Sequence, residues 1–196
     1  MLQASAPSGA VMAIEDGHRW NARYSGQPVA EPSAPDALTA ASLADVVGNS
    51  GRALDVACGS GGQAVWLAQR GFEVTAVDAS ETAVDLARAT AEARGVEDRV
   101  DVKVIDLDAG IPRGLGNFDV IICQRFRAVD LYDTFVTRLT RGGIAVITVL
   151  SETETVSPGR FHAPSGELLS AFTRPDAAIL FHLESDGQES IILRRT

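Results

Sequence analysis

Three carboxylates and two glycines in this sequence are spaced for chemistry. Gly59 and Gly61 follow a short apolar run and precede a helix-like segment in ALDVACGSGGQAVWLAQRGFEVTAVDAS, residues 53–80. With Ala64 they spell G-x-G-x-x-A, a turn in which backbone approaches a ligand without a Cβ in the way. Asp78 closes the next apolar run, nineteen residues after Gly59. A carboxylate there either accepts hydrogen bonds from both hydroxyls of a ribose or leads the following helix, a role Ser80 can already fill. Such a unit binds a nucleoside, and the glycines alone do not say which one.

Three features favour an adenosyl cofactor over a hydride-carrying dinucleotide. Asp55 lies inside the first run, where a buried parallel strand is normally apolar throughout. An acid there makes sense beside a cationic or hydrogen-bonding group, and S-adenosylmethionine carries an ammonium and a sulfonium. Asp106-Leu107 ends a third run, with an acid to accept from an exocyclic amine and a side chain to cover a flat ring. Hydride machinery is missing: Tyr132 is followed four places on by Val136, not by a lysine.

The elements that must position these residues alternate. Strand-like runs at 53–57, 73–77, 101–105, 118–123 and 144–150 are separated by helix-like segments at 62–70, 81–94 and around Leu131, Phe135 and Leu139, the last stopped by Gly142-Gly143. Ser80 is the expected N-cap of the second. Upstream, Asp36 is the expected N-cap of a helix DALTAASLADVV. Regular alternation with short connections implies a parallel sheet covered by helices. After a loop and a short helix GELLSAF, the runs AAILFHLE and SIILRR stand too close for a helical crossover, so they must pair as an antiparallel hairpin. The expected fold class is α/β, a Rossmann-like, doubly wound seven-stranded sheet, mostly parallel with a C-terminal antiparallel hairpin. Residues 1–17 read as a flexible tail and 18–196 as one domain, with 18–35 as an N-terminal lid segment.

Bulk properties narrow the function. A chain of 196 residues, 45% hydrophobic, suits one domain with a full core. No apolar run is long enough to span a membrane and no secretory signal is visible. Cys58 and Cys123 sit in apolar contexts, which fits reduced, buried thiols and a cytoplasmic location. The net charge of −9 without any Lys/Arg run argues against a nucleic-acid partner. No metal-ligand spacing is present, and the sequence leaves monomer and homodimer equally open.

Taken together, LDVACGSG, VDAS, DL and FDVIICQRF, in this order, resemble the class I S-adenosylmethionine-dependent methyltransferases. Within them the chain is similar to the small tellurite-resistance and thiopurine-type enzymes. Trp20, Arg23 and Tyr24 match an aromatic W-x-x-R-Y segment, and Gly159-Arg160-Phe161 with Gly166-Glu167-Leu168 match a later loop and helix start more loosely. The resemblance implies that Gly59, Gly61 and Ala57 contact the methionine portion of S-adenosyl-L-methionine, with Asp55 in support. It implies further that Asp78 holds the ribose and that Asp106, Leu107 and Ala79 meet the adenine. Cys123 and Gln124 would lie near the methionine. Trp20, Arg23 and Tyr24 would close over the pocket, Arg23 pairing with the cofactor carboxylate, or would form a helix simply packed on the sheet. Arg125, Arg160 and Phe161 would face the substrate. His162 is the single candidate general base, against a reading as a solvated loop residue; His182, alternating within a strand, reads as structural. The implied reaction is methyl transfer to a small acceptor, a thiol, a phenol or hydroxyl, or a metalloid oxyanion. Two alternatives stand beside it: an NAD(P)-binding oxidoreductase, and a catalytically inactive adenosyl-cofactor-binding module.

Overall fold

The computed structural model describes residues 19–41 and 44–196, so the expected tail at 1–17 lies outside the described residues. A helical turn, α1, covers residues 19–24. Next come α2 (Asp36–Ala40), β1 (Gly51–Val56), α3 (Gly62–Gln69), β2 (Phe72–Asp78), α4 (Glu81–Ala93) and β3 (Val100–Val104). The chain continues through β4 (Phe118–Gln124), α5 (Tyr132–Arg138), β5 (Leu139–Leu150), α6 (Glu167–Phe172), β6 (Ala177–Ser185) and β7 (Gln188–Arg195).

All seven strands form one sheet in the order β3-β2-β1-β4-β5-β7-β6. The β1–β5 pairings are parallel, and β7 runs antiparallel between β5 and β6. The expected α/β class and terminal hairpin are therefore both present. Alternate strand residues feed two cores. Ala53, Ala76, Val120 and Ile122 pack under α2, α3 and α4 on one face. Leu54, Val56, Val77, Ile121 and Ile147 pack under α5 and α6 on the other. β1, β2 and β4 are buried on both faces, which explains why their sequences are near-continuous apolar runs.

Three local expectations need correction. Asp36 does not cap its helix: Pro35 occupies the N-cap position without a side-chain bond, Asp36 is the first helical residue, and the helix lasts only five residues. A 3₁₀ turn at Ala44–Val47 follows instead of a continuous helix. Leu139 does not close the helix of Phe135; it begins β5, and Gly142-Gly143 lie within that strand. The register between β4 and β5 shifts between Phe118 and Val120. The glycines therefore accommodate an irregular strand, not a helix end. Ser80 does cap α4, its hydroxyl accepting from the Ala83 N–H at 3.1 Å.

The hairpin anchors α6 through a buried acid. Glu189 is fully buried on β7. Its carboxylate accepts from the N–H groups of Leu168 and Leu169, at 2.9 and 3.0 Å, in the first turn of α6. His182 Nε2 lies 2.9 Å from the same group, so this histidine is structural as expected. Glu189→Gln keeps one acceptor and turns the amide donors toward the other backbone N–H. It is expected to cost about 1–2 kcal/mol of stability, read as a lower urea midpoint at unchanged m-value.

Candidate functional site

β1, β2, β3 and β4 run parallel, so their carboxyl ends share one edge of the sheet. The chain proceeds from β1 outward through β2 and β3, then returns to place β4 on the other side of β1. That reversal opens a crevice beyond the ends of β1 and β4, the position where open α/β sheets bind ligands. Both strands end in a strained residue there: Ala57 follows β1 at φ 55° and Arg125 follows β4 at φ 56°. Left-handed backbone at non-glycine residues is costly and concentrates at functional sites.

The glycine turn is held by Asp78. One carboxylate oxygen accepts from the Gly59 N–H and the other from the Ser80 N–H, both at 2.9 Å. Asp78 thus ties the β1–α3 turn to the β2–α4 turn and keeps lone pairs for a ligand. Burial pushes its carboxyl above the usual range, while the N–H groups of Ser80, Gly59 and Ala79 oppose that shift. Gly61 is the N-cap of α3 at φ 82°. A Cβ on it would meet the Ala87 Cα at 3.0 Å, so α3 and α4 close together only over a glycine.

Asp55 points into the core beneath α3. It is 1% exposed, and its Oδ2 has no hydrogen-bond partner among the described residues. Burial pushes its carboxyl up to about 8; a bond from the Ala64 backbone opposes the shift, and the Asp78 charge adds to it. Cys58 and Cys123 are buried free thiols, and burial raises both further from ionisation, with Asp55 adding to the shift. Neither is a nucleophile in this setting.

Asp106 and Leu107 stand just past β3. The Asp106 side chain accepts from the Asp108 N–H at 3.0 Å and caps a 3₁₀ turn, and Leu107 is buried against Val77 and Ile111. Ala79 is exposed between Asp78 and Ser80. On the β4 side, Gln124 Nε2 donates to the carbonyls of Cys123 and Val146, at 3.0 and 3.1 Å. The Arg125 N–H donates to the Thr148 carbonyl at 2.7 Å and its side chain is exposed.

α1 lies over the glycine turn. A Cβ built on Gly59, which has φ 53°, would fall 2.6 Å from the Tyr24 hydroxyl oxygen. Tyr24 stacks on Trp20 with ring centroids 6.3 Å apart, and the Arg23 guanidinium sits 5.5 Å from the Trp20 ring. Burial raises the Tyr24 hydroxyl pKa, and the Asp78 charge raises it further. Asn21 fastens this segment. Its Oδ1 accepts from the Ser80 hydroxyl at 2.6 Å and from the Thr82 N–H at 3.3 Å, at the start of α4. Asn21 was not legible in the sequence, because its partners lie about sixty residues away.

Arg160, Phe161 and His162 belong to the loop after β5, which bends back through a bridge between Ser151 and Ala163. His162 Nδ1 accepts from the Gly159 N–H at 2.9 Å within its own turn. Behind the loop, Arg127 grips Glu167 with Nε and Nη2, and the Tyr132 hydroxyl donates to the same carboxylate at 2.8 Å. Burial works to raise the Glu167 carboxyl, but Arg127 and Tyr132 outweigh it and hold it below its ordinary range. This triad ties α6 to the end of β4. The spacing of its members, forty residues between Arg127 and Glu167, hid it from sequence reasoning.

The family model described as a methyltransferase domain matches residues 53–143, which take in the end of β1, the glycine turn, Asp78, Asp106 and β4. The sheet order and the terminal antiparallel pair complete the architecture of that domain's class. Over residues 53–143 the chain is similar to a methyltransferase domain. The glycine N-methyltransferase of Rattus norvegicus is 41% identical over 78 residues, covering 37% of this chain and 26% of that relative. The chain thus spans about a quarter of the length of the curated relatives it matches first. In fold it is similar to TehB from Haemophilus influenzae, at TM-score 0.68 and 19% identity over 81% of this chain and 62% of that one. It is likewise similar to geranyl diphosphate C-methyltransferase from Streptomyces coelicolor A3(2), at TM-score 0.69 and 15% identity over 98% of this chain and all of that one.

The residues present fit the family's cofactor. The orphaned Asp55 oxygen offers a buried polar atom, Asp78 offers a fixed carboxylate on the same edge, and the absence of a side chain on Gly59 lets Tyr24 close onto the turn. Gly59→Ala is expected to displace Tyr24 and to strain the turn by about 1 kcal/mol. The expected result is roughly tenfold weaker S-adenosylhomocysteine binding by calorimetry, with the fold intact by circular dichroism.

Proposed function

We propose that this methyltransferase transfers the methyl group of S-adenosylmethionine to a small acceptor that meets the crevice at the ends of β1 and β4. The observation that carries the reading is the fully buried Asp55, whose Oδ2 has no hydrogen-bond partner among the described residues, beside a glycine turn that Asp78 already holds in place. A core acid with an unsatisfied oxygen is costly unless a ligand supplies a partner. An ammonium group is such a partner, and no dinucleotide pyrophosphate would be welcome beside it.

When bound, the cofactor supplies a methyl group on a positively charged sulfur. The chain's own contribution is alignment and exclusion of water. Asp78 binds the ribose hydroxyls, Asp106 and Leu107 take the adenine edge and face, and Ala57, Gly59 and Gly61 line the methionine portion. Ala79 borders the adenine, and the Cys123–Gln124 end of β4 forms the far wall. Arg23 pairs with the cofactor carboxylate, while Trp20 and Tyr24, pinned by Asn21, cover the crevice. Arg125, Arg160 and Phe161 face the acceptor. A soft acceptor needs no base. For a phenol or hydroxyl, His162 is the candidate, on condition that its Nδ1 gives up the Gly159 bond or its Nε2 is unprotonated. The names of the relatives support a small acceptor, glycine in one and geranyl diphosphate in another. Calorimetry tests the reading. S-Adenosylhomocysteine is expected to bind with one-to-one stoichiometry and NADH not at all; tight NADH binding would replace the reading with a dinucleotide enzyme.

A further inference from the structure

The acid read as the ribose holder is nearly closed off. Asp78 is only 8% exposed, and its two carboxylate oxygens accept from the N–H groups of Gly59 and Ser80. α1 rests on the same two residues. The Tyr24 hydroxyl lies where a Cβ on Gly59 would project, and Asn21 Oδ1 accepts from the Ser80 hydroxyl at 2.6 Å. The same Asn21 oxygen takes the Thr82 N–H at 3.3 Å, while Ser80 takes that of Ala83. Asn21 therefore completes, from a distant segment, the cap that Ser80 begins on α4.

The walls around Asp78 differ in how firmly they are held. β2, α3 and α4 are fixed by core side chains such as Val77, Val65 and Val84. None of residues 19–26 is buried, and Trp20 and Tyr24 are half-exposed. A segment without a buried side chain opens at far lower cost than the core. Beyond α1 the chain is anchored again. The Ala30 N–H donates to the Thr90 hydroxyl at 3.1 Å, the Ser33 N–H donates to the Gly62 carbonyl at 3.4 Å, and Glu31 pairs with Arg94. Between cover and anchor stands Gly26, at φ 72° with open space where a Cβ would be. A short, uncrowded glycine turn between a loosely held segment and a fixed one is a hinge.

From the docking of α1 on the two residues that Asp78 binds, we infer that Asn21 is a positioning residue: it latches α1 as a gate hinged at Gly26, and the cofactor reaches and leaves Asp78 only when that gate lifts. The inference rests on the methyltransferase reading and adds what controls cofactor exchange. Lifting α1 hands the Ser80 hydroxyl and the Thr82 N–H to water and uncovers the Asp78 carboxylate. Closing restores both bonds to Asn21. Ser80 carries the latch on its side chain and the Asp78 bond on its N–H, so closure also fixes the turn that orients the ribose acid.

The test reads α1 directly. Trp20 and Trp66 are the two tryptophans, so Trp66→Phe leaves Trp20 as the only one. In that background, stopped-flow fluorescence follows S-adenosylhomocysteine binding, the association rate constant coming from the slope against ligand concentration and the dissociation rate constant from the intercept. Asn21→Ala is expected to raise both rate constants about fivefold, the equivalent of one lost hydrogen bond. Asn21→Asp keeps an oxygen that accepts from Ser80 and Thr82, and is expected to return both toward the parent values. Unchanged rates in Asn21→Ala overturn the inference. So does a rise in dissociation alone, which marks a contact that only steadies the bound ligand. Acrylamide quenching of Trp20 without ligand is expected to be stronger in Asn21→Ala and parent-like in Asn21→Asp; equal quenching in the parent and Asn21→Ala also overturns the latch. Failure of S-adenosylhomocysteine to bind any of the proteins would count against the methyltransferase reading, and the quenching still decides whether Asn21 holds α1.

Discussion

Asp78→Ala is expected to weaken S-adenosylhomocysteine binding about 100-fold, the equivalent of about 3 kcal/mol. Two losses combine. The ribose loses a charged acceptor, worth about 1.5–3 kcal/mol for a hydrogen bond to an ionised group. The Gly59 and Ser80 N–H groups lose the carboxylate that fixes both turns, so the cradle itself loosens. Asp78→Asn separates the two losses. Its amide oxygen replaces one acceptor and its nitrogen repels the other backbone N–H, so an intermediate affinity is expected. Calorimetry on both variants, with melting curves to confirm folding, reads the result. Affinity unchanged in Asp78→Ala would remove this residue from the ligand site.

Asp55 gives the second large effect, and it depends on pH. Burial holds its carboxyl near 8 in the free protein, so it keeps its proton when folded and loses it when unfolded. The stability contributed by this protonation is full below the ordinary carboxylate range and is lost as pH rises through about 8. Over that window the slope approaches about 1.4 kcal/mol per pH unit. Asp55→Asn carries no such proton, and its stability is expected to be flat where the parent protein declines. Ligand binding has the opposite sense. An ammonium group beside Asp55 favours the carboxylate, so binding expels a proton below about pH 8, and affinity falls as the solution is acidified. Calorimetry in two buffers of different ionisation enthalpy counts that proton: close to one at pH 7 for the parent protein and none for Asp55→Asn. A parent protein that releases no proton would mean that Asp55 does not meet the cation.

The fold was legible because its signals are local. Apolar runs of five to seven residues, a glycine after the first, and helices of the right length between them leave little choice but a parallel sheet. The final pair was legible by default, since no crossover fits between Phe181 and Ile191. Boundaries failed where tertiary contacts override propensity. Leu139 fits the apolar stripe of α5 but is pulled into β5 by its pairing with Phe118. Asp36 has cap chemistry, but Pro35 ahead of it takes the cap position with its fixed φ.

At the site, residues tied to strand ends could be read from spacing, and Asp55, Gly59 and Asp78 do converge at or beneath one sheet edge. Asn21, the Arg127–Glu167–Tyr132 triad and the Glu189 anchor could not. Each is a polar contact between segments far apart in sequence, and neither partner type announces the other.

The most direct measurement is a crystal structure of the protein with S-adenosylhomocysteine. The ribose is expected on Asp78, the amino group within hydrogen-bond reach of Asp55, and the sulfur facing open space bordered by Arg125 and Phe161. A ligand seated elsewhere, or one whose sulfur is walled off from that space by Tyr24 or by the loop after β5, would contradict the proposed methyl transfer.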